Sequence, residues 1–351
     1  MIPLRSATIT EDQPPVTSYQ RLIPRPQSRP IRILSIDGGG IRGIIPALVL
    51  ARIEKLTGRP VAKLFDLVAG TSTGGILALG LTIPKSPGKP LYAAQEFVSM
   101  FEREGPKIFS RSLFRAFSTT GSLTWKKYSA RGIEQVLAEY FGDSRLREAV
   151  TDVLVPSYEI ERRFPFFFKS TNARRRPDYD FPAREVARAT SAAPSYFEPL
   201  RISNSTNSER YSLIDGGVFA NNPAACALVE ARSTHALNSS FLVVSLGTGS
   251  LMRKVPRALA RYAGAVLWAK PLLDAIFDGV SSTVDYQLRR LLAKGYYRFQ
   301  AALTSHTEGL DNTSRRNLEA LKSLANNLIE KNSAEIEELC GQLTSSRLQK
   351  D

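Results

Sequence analysis

From Ile31 onward, short apolar runs alternate with longer segments whose apolar residues recur at helical spacing. The run Ile31–Ile36 is nearly continuous in apolar character, the pattern of a strand buried on both faces of a parallel sheet. A helix is expected from about Ile44, with Leu48, Val49, Ile53 and Leu56 on one side. Pro46 falls in its first turn, where a missing N–H costs nothing. "LFDLVAG", residues 64–70, predicts the next strand, with Asp66 inside it, and "TSTGGILALGL" predicts a turn and a buried helix. Residues 91–104 and 130–141 have the spacing of amphipathic helices. "DVLVPSYEI" and "FPFFFKST" predict two strands paired across the turn at 161–163, and 178–180 falls in a polar loop. "YSLID" and "FLVVSLG" predict further strands separated by a helix over 223–235. Beyond them the chain reads as mostly helical, with "YYRFQ" a short strand. Strands alternating with helices predict a three-layer α/β fold with a mainly parallel sheet. No internal repeat and no long linker divides the chain, so a single main domain is expected.

Two turns within this pattern carry chemistry. In "IRILSIDGGGIRGI", residues 31–44, Gly38, Gly40 and Gly43 match G-x-G-x-x-G, the spacing that cradles a dinucleotide pyrophosphate. Gly70-Thr71-Ser72-Thr73-Gly74 is G-x-S-x-G between a predicted strand and a predicted helix, the context of a nucleophile elbow. Glycines at both ends let the backbone turn sharply, so that Ser72 projects from the end of the strand.

A serine nucleophile needs a base, and the chain has only His235 and His306. His235 falls at the expected C-terminal end of a helix, where a cationic ring meets the helix dipole favourably. His306 lies in a polar loop segment. Asp215, in "LIDGGV", is the better partner: it ends an apolar strand, and Gly216 and Gly217 follow it. Functional groups collect at the carboxyl ends of parallel strands, which would bring Ser72, Asp215 and the 38–43 loop to one rim. A carboxylate there can take the serine proton directly. The second strand ends in the serine elbow and not in the acidic residue a dinucleotide site requires. The N–H groups of Gly38, Gly39 and Gly40 can instead hold the oxyanion of a tetrahedral acyl intermediate, with Arg42 adding positive charge.

"DGGGIRG", "GTSTGG" and "DGGVFANNP" occur here in the order found in the patatin-like phospholipases, which the sequence resembles. The resemblance runs on through "GPKIFS", "TSAAPSYF" and "VVSLGTG" and covers about residues 31–330. It implies a three-layer α/β/α sandwich as a patatin-like catalytic domain over 31–330, preceded by a Pro-rich leader over 1–30 and followed by a C-terminal helix or tail over 331–351. It also implies a lipid acyl hydrolase of the phospholipase A or lysophospholipase type, with Ser72 as nucleophile, Asp215 as base and Gly38–Gly40 as oxyanion hole. Two competing classes are a nucleotide-binding oxidoreductase, which leaves Ser72 and Asp215 unused, and a non-catalytic or ligand-regulated binding protein on the same fold.

Composition narrows the partners. Lys and Arg number 47 against 33 Asp and Glu, a formal net charge of +14 that favours anionic partners. Short basic clusters such as Arg174-Arg175-Arg176 stand without zinc-finger spacing, RNP-type aromatics or a long basic helix, so nucleic acid is not expected. The stretch 253–277 sets Arg253, Lys254, Arg257 and Arg261 before a Trp268-containing apolar segment, as a helix lying on an anionic membrane surface would; 106–117 is a second such stretch. The resemblance leaves room for a nucleotide-type activator such as a cyclic dinucleotide, for which no motif stands out. Cys226 and Cys340 form neither a disulfide framework nor a C-x-x-C pair. The leader lacks the apolar core of a signal peptide, and no run of apolar residues is long enough to span a membrane. A cytoplasmic protein with peripheral membrane contact is expected, with phospholipid as substrate. No cofactor or metal is expected, because the acidic residues lack calcium-loop spacing.

Overall fold

The computed structural model describes residues 29–86, 89–110, 128–204, 209–236, 239–250, 261, 265–304, 306–307 and 309–344. The leader through residue 28 lies outside them, as do residues 253–264 of the basic stretch apart from Arg261 and residues 111–117 of the second candidate stretch. In chain order the strands are β1 (Ile31–Ile36), β2 (Leu67–Gly70), β3 (Pro84–Ser86), β4 (Lys89–Pro90), β5 (Asp152–Glu159), β6 (Phe164–Lys169), β7 (Leu200–Ser203), β8 (Arg210–Asp215), β9 (Phe241–Leu246) and β10 (Tyr296–Phe299). All but the small β3–β4 hairpin join one eight-stranded sheet. β10, β9, β1, β2 and β5 run parallel in that spatial order.

Alternate residues of the parallel strands feed two cores, as the two-residue strand period requires. Leu34, Ile36, Val68 and Val244 face the larger core with the helices Ile44–Thr57, Thr73–Thr82 and Ala94–Ile108. Ile33, Leu67, Ala69 and Val243 face a smaller one, closed by the helix Ala224–Thr234 and by Val284 and Leu288 of the helix Ala265–Leu292. The result is the expected three-layer α/β/α sandwich. Every residue of Thr73–Thr82 is buried. Leu77, Leu79 and Leu81 are fully enclosed, each worth roughly 1.5–3 kcal/mol over exposure. That helix therefore anchors the turn that precedes it.

Several local expectations need correction. Leu56 is 37% exposed and lies off the buried face of its helix, which is carried by Ile45, Val49, Leu50 and Ile53. Asp66 stands before β2 and not inside it. There it accepts the Arg32 N–H (2.9 Å) and a forked pair from the Arg29 guanidinium (2.7 and 2.9 Å). β7 and the β3–β4 hairpin carry too little apolar pattern to be read from sequence.

The largest difference concerns β8. It is antiparallel to β5, so Asp215 does not leave the sheet as the end of one more parallel strand. Leu154 of β5 pairs with both Ala69 of β2 and Lys169 of β6, and Ser157 pairs with both Asp215 of β8 and Phe166 of β6. A strand has two edges, so β6 occupies one and β2 and β8 share the other. The two run toward each other along it, and the carboxyl end of β8 arrives at the carboxyl end of β2. Asp215 meets Ser72 by head-on approach.

Candidate active site

β2 ends at Gly70 and the next helix begins at Thr73, leaving two residues to reverse the chain. Ser72 takes φ 55° and ψ −123°, a left-handed-region backbone that a non-glycine residue adopts only under constraint. The constraint is visible on both sides. A Cβ on Gly70 would lie 2.0 Å from the Gly74 carbonyl oxygen, and one on Gly74 would lie 2.2 Å from that of Ile36. Glycine at both positions is what permits the tight turn. The Ser72 N–H donates to Thr190 Oγ1 (2.9 Å), whose hydroxyl donates to the Pro156 carbonyl (2.6 Å). Thr71 Oγ1 donates to the Ala220 carbonyl (2.6 Å). These side-chain bonds lock the elbow to β5 and to the segment after Asp215.

Asp215 is 2% exposed. Its N–H donates to the Ala192 carbonyl (3.1 Å). One carboxylate oxygen accepts the Gly217 N–H (2.7 Å), and the Ser72 side chain stands close enough to the same carboxylate to favour its charged form. Burial pushes the carboxyl up from 3.8 to about 7, with Ser72 and the Gly217 hydrogen bond pulling the other way. A carboxylate so raised is a much stronger base than an exposed aspartate and is still ionised near neutral pH.

The glycine loop is resolved by asking where each of its N–H groups goes. Gly38 donates to the Asn221 carbonyl (3.0 Å), Ile41 to the Leu310 carbonyl (2.9 Å) and Arg42 to the Gly39 carbonyl (3.2 Å). The N–H groups of Gly39 and Gly40 stay outside this network, and both residues line the pocket that contains Ser72 and Asp215. Thr73, the first residue of the elbow helix, lines it too. Leu310 closes the approach to the other side of the loop: a Cβ on Gly40, at φ 57°, would meet its carbonyl oxygen at 2.2 Å. The fan of donors that a pyrophosphate needs is thus not available. Arg42 is buried beneath the loop, with Nε 3.3 Å from the Gly39 carbonyl, and does not line the Ser72 pocket. It therefore stands behind the loop, outside the pocket that holds Ser72 and Asp215.

Sequence reasoning missed what fixes the loop's entry. Asp37, at the end of β1, is held by both arms of the Arg298 guanidinium (2.9 and 2.6 Å), which reaches across from β10 and also contacts Ser245 Oγ (2.8 Å). The pair is buried, with side-chain exposures of 4% and 2%. Arg298 lies in a strand that was recognisable only as a strand. Thr190 was missed as well, although it belongs to "TSAAPSYF".

Most of the remaining pocket wall is apolar, with Ser191, Tyr196 and Asn221 as its polar members. Ile76, Met100, Phe101, Ile108, Phe109 and Phe197 line it, with Phe277 from the helix Ala265–Leu292. Within the second candidate membrane stretch, Pro106, Lys107 and Ile108 belong to the helix Ala94–Ile108, and the apolar side chains of Ile108 and Phe109 face the pocket. Neither histidine lines it. His235 caps the helix Ala224–Thr234, with Nδ1 2.8 Å from the Ala231 carbonyl, and His306 is exposed.

Fold and site together define an α/β protein with a serine elbow facing a buried carboxylate at the base of an apolar pocket. Residues 34–228 match the family model for patatin-like phospholipase. Patatin-like protein 2 of Arabidopsis thaliana is 34% identical over 338 residues, spanning 86% of this chain and 83% of that protein. Patatin-08 of Solanum tuberosum is 33% identical over 333 residues, spanning 86% and 84%. The chain belongs to the patatin-like phospholipase family, and this membership supports lipid acyl hydrolase activity in general. No helix among the described residues is long and apolar enough to cross a membrane.

Proposed function

We propose that the protein cleaves fatty-acyl esters of membrane lipids, as a phospholipase A or lysophospholipase, by a Ser72–Asp215 dyad working through an acyl-enzyme. The observation that carries this reading is the Asp215 carboxylate buried beside Ser72, on the strained turn between β2 and its helix, in one mostly apolar pocket. Asp215 takes the hydroxyl proton as Oγ attacks the ester carbonyl, then gives it to the leaving alcohol. Water, deprotonated by the same carboxylate, releases the fatty acid. The oxyanion is held by the N–H groups of Gly39, Gly40 and Thr73. Gly38 is left out because its N–H is engaged by Asn221. One such donor is worth about 10²–10³ in kcat. The apolar wall takes the acyl chain.

Turnover of a p-nitrophenyl acyl ester, followed by a panel of phospholipids and lysophospholipids, tests this directly; a folded protein inert to all of them sinks it. Because the base is a carboxylate, the double change His235→Gln plus His306→Gln should keep most of the activity. A folded but dead double variant would return the base role to a histidine.

Anionic membrane contact follows from the +14 charge. Liposome co-sedimentation should rise with anionic lipid content and fall with salt, as the screening length shrinks from about 10 Å at 0.1 M to about 3 Å at 1 M. Neutralising Arg253, Lys254, Arg257 and Arg261 together should weaken vesicle binding more than hydrolysis of a soluble ester. Equal binding to neutral and anionic vesicles counts against the idea.

A further inference from the structure

Among the polar side chains of the Ser72 pocket, Ser191 has no task in the scheme above. It closes the helix Ala183–Thr190 as its C-terminal cap and is 7% exposed. Its hydroxyl oxygen is buried without a hydrogen-bond partner, and the residue lines the same pocket as Ser72 and Asp215. Leaving a buried hydroxyl unpaired is costly, so a partner during the reaction cycle would explain why one stands here. Its position in the chain fixes which partner. The preceding residue, Thr190, holds the Ser72 N–H through Oγ1, and the following one, Ala192, holds the Asp215 N–H through its carbonyl. Ser191 is thus carried between the two residues that hold the backbone of the nucleophile and of the base.

We propose that Ser191 Oγ binds the water that resolves the acyl-enzyme, and so acts as a further catalytic residue of the reaction proposed above, on which this inference rests. The attacking water must give one hydrogen to Asp215 and direct a lone pair at the acyl carbon. Its second hydrogen needs an acceptor, and Ser191 Oγ supplies one from between those two residues, whereas the other polar side chains of the pocket, Thr73, Tyr196 and Asn221, stand outside that segment, Thr73 with its hydroxyl against Gly43. As the water oxygen bonds to the acyl carbon, one proton passes to the Asp215 carboxylate and the carbonyl π pair moves onto the oxyanion. Collapse of the tetrahedral intermediate then breaks the bond to Ser72 Oγ, which recovers the proton from Asp215. The other water hydrogen stays on the product acid throughout. Acylation by an ester with a good leaving group involves no water, so the two half-reactions should separate.

The experiment is stopped-flow hydrolysis of p-nitrophenyl butyrate by the full chain, reading the nitrophenolate burst for acylation and the steady rate for deacylation. Ser191→Ala removes a hydroxyl that holds nothing in the fold. Its burst rate should stay within about 2-fold of the parent, while the steady rate falls roughly 10- to 100-fold, the scale of losing one positioning contact. Butyryl-Ser72 should then accumulate in intact mass spectra. Ser191→Cys fills the same space with a poor acceptor and should behave like Ser191→Ala. A parent-like steady rate in Ser191→Ala overturns the proposal. So does an equal slowing of burst and steady rate, or recovery in Ser191→Cys, which would make volume the cause. If the parent itself forms no acyl-Ser72 while turning over ester, the dyad reading has failed, and that result is separate from any behaviour of the Ser191 variants.

Discussion

Ser72→Ala should lose ester turnover by at least about 10⁴-fold, the scale seen when a nucleophile is removed from an otherwise intact site. A serine-directed fluorophosphonate should label the parent and leave this variant unmarked. The loss should come without unfolding, because the elbow is held by backbone and by neighbouring side chains and not by the Ser72 hydroxyl. Thr190 and Ala220 grip it through the Ser72 N–H and Thr71 Oγ1, and neither bond changes with the substitution. The backbone offers a second readout. At φ 55° and ψ −123°, serine and alanine carry the same strain, whereas glycine carries little. Ser72→Gly should therefore be equally inactive but more stable than Ser72→Ala by about 1 kcal/mol in urea unfolding. A folded Ser72→Ala protein with parent-like turnover would remove Ser72 from the chemistry. Equal stability of the two variants would mean that the elbow is not strained.

The parts of the molecule legible in sequence are those in which one local rule dominates. β1 could be read from Ile31–Ile36 because burial on both faces demands a nearly unbroken apolar run. The elbow could be read because only glycine fits at Gly70 and Gly74, so the packing leaves a mark on the letters themselves. Strand direction leaves no such mark. "YSLID" predicts a strand whichever way it runs, and the convergence of Asp215 with Ser72 depends on β2 and β8 sharing one edge of β5. The parallel-sheet argument that brings Asp215 to the rim of Ser72 therefore does not apply to β8, whose antiparallel course does so instead. Long-range polar contacts are invisible for the same reason. The Asp37–Arg298 pair spans 261 positions, and nothing in "YYRFQ" distinguishes its arginine from a solvated one. The glycine loop was readable as a donor array, but which donors are free depends on Asn221 and Leu310, which arrive from distant segments. Gly38 is engaged on that account, and the place of Arg42 beneath the loop is set by the fold in the same way.

Asp215→Asn should separate activity from stability more sharply than any other change in the site. Turnover should fall at least about 10²-fold, the lower end for loss of a general base, and the parent's kcat/KM should rise with pH through about 7 as the carboxyl ionises. Stability should move the other way. Burial raises the native carboxyl to about 7 from an unperturbed 3.8, so between these values the folded chain keeps a proton that the unfolded chain releases. Stability then falls as pH rises across that window, because the native state binds more protons than the unfolded one. The contribution of the neutral carboxyl is complete below about pH 4 and gone above about pH 7, a difference of about 4 kcal/mol at 1.36 kcal/mol per pK unit. Asparagine cannot ionise and escapes this loss. The stability of Asp215→Asn relative to the parent should accordingly increase from pH 4 to pH 7 by a few kcal/mol and level off beyond. Urea unfolding of both proteins at pH 4.5 and pH 8.5 measures the gap at each end, and charges elsewhere in the chain cancel in the comparison. A gap that does not widen would mean that Asp215 is ionised in the folded protein at low pH. It would then be an ordinary carboxylate, too weak a base to take a proton from Ser72.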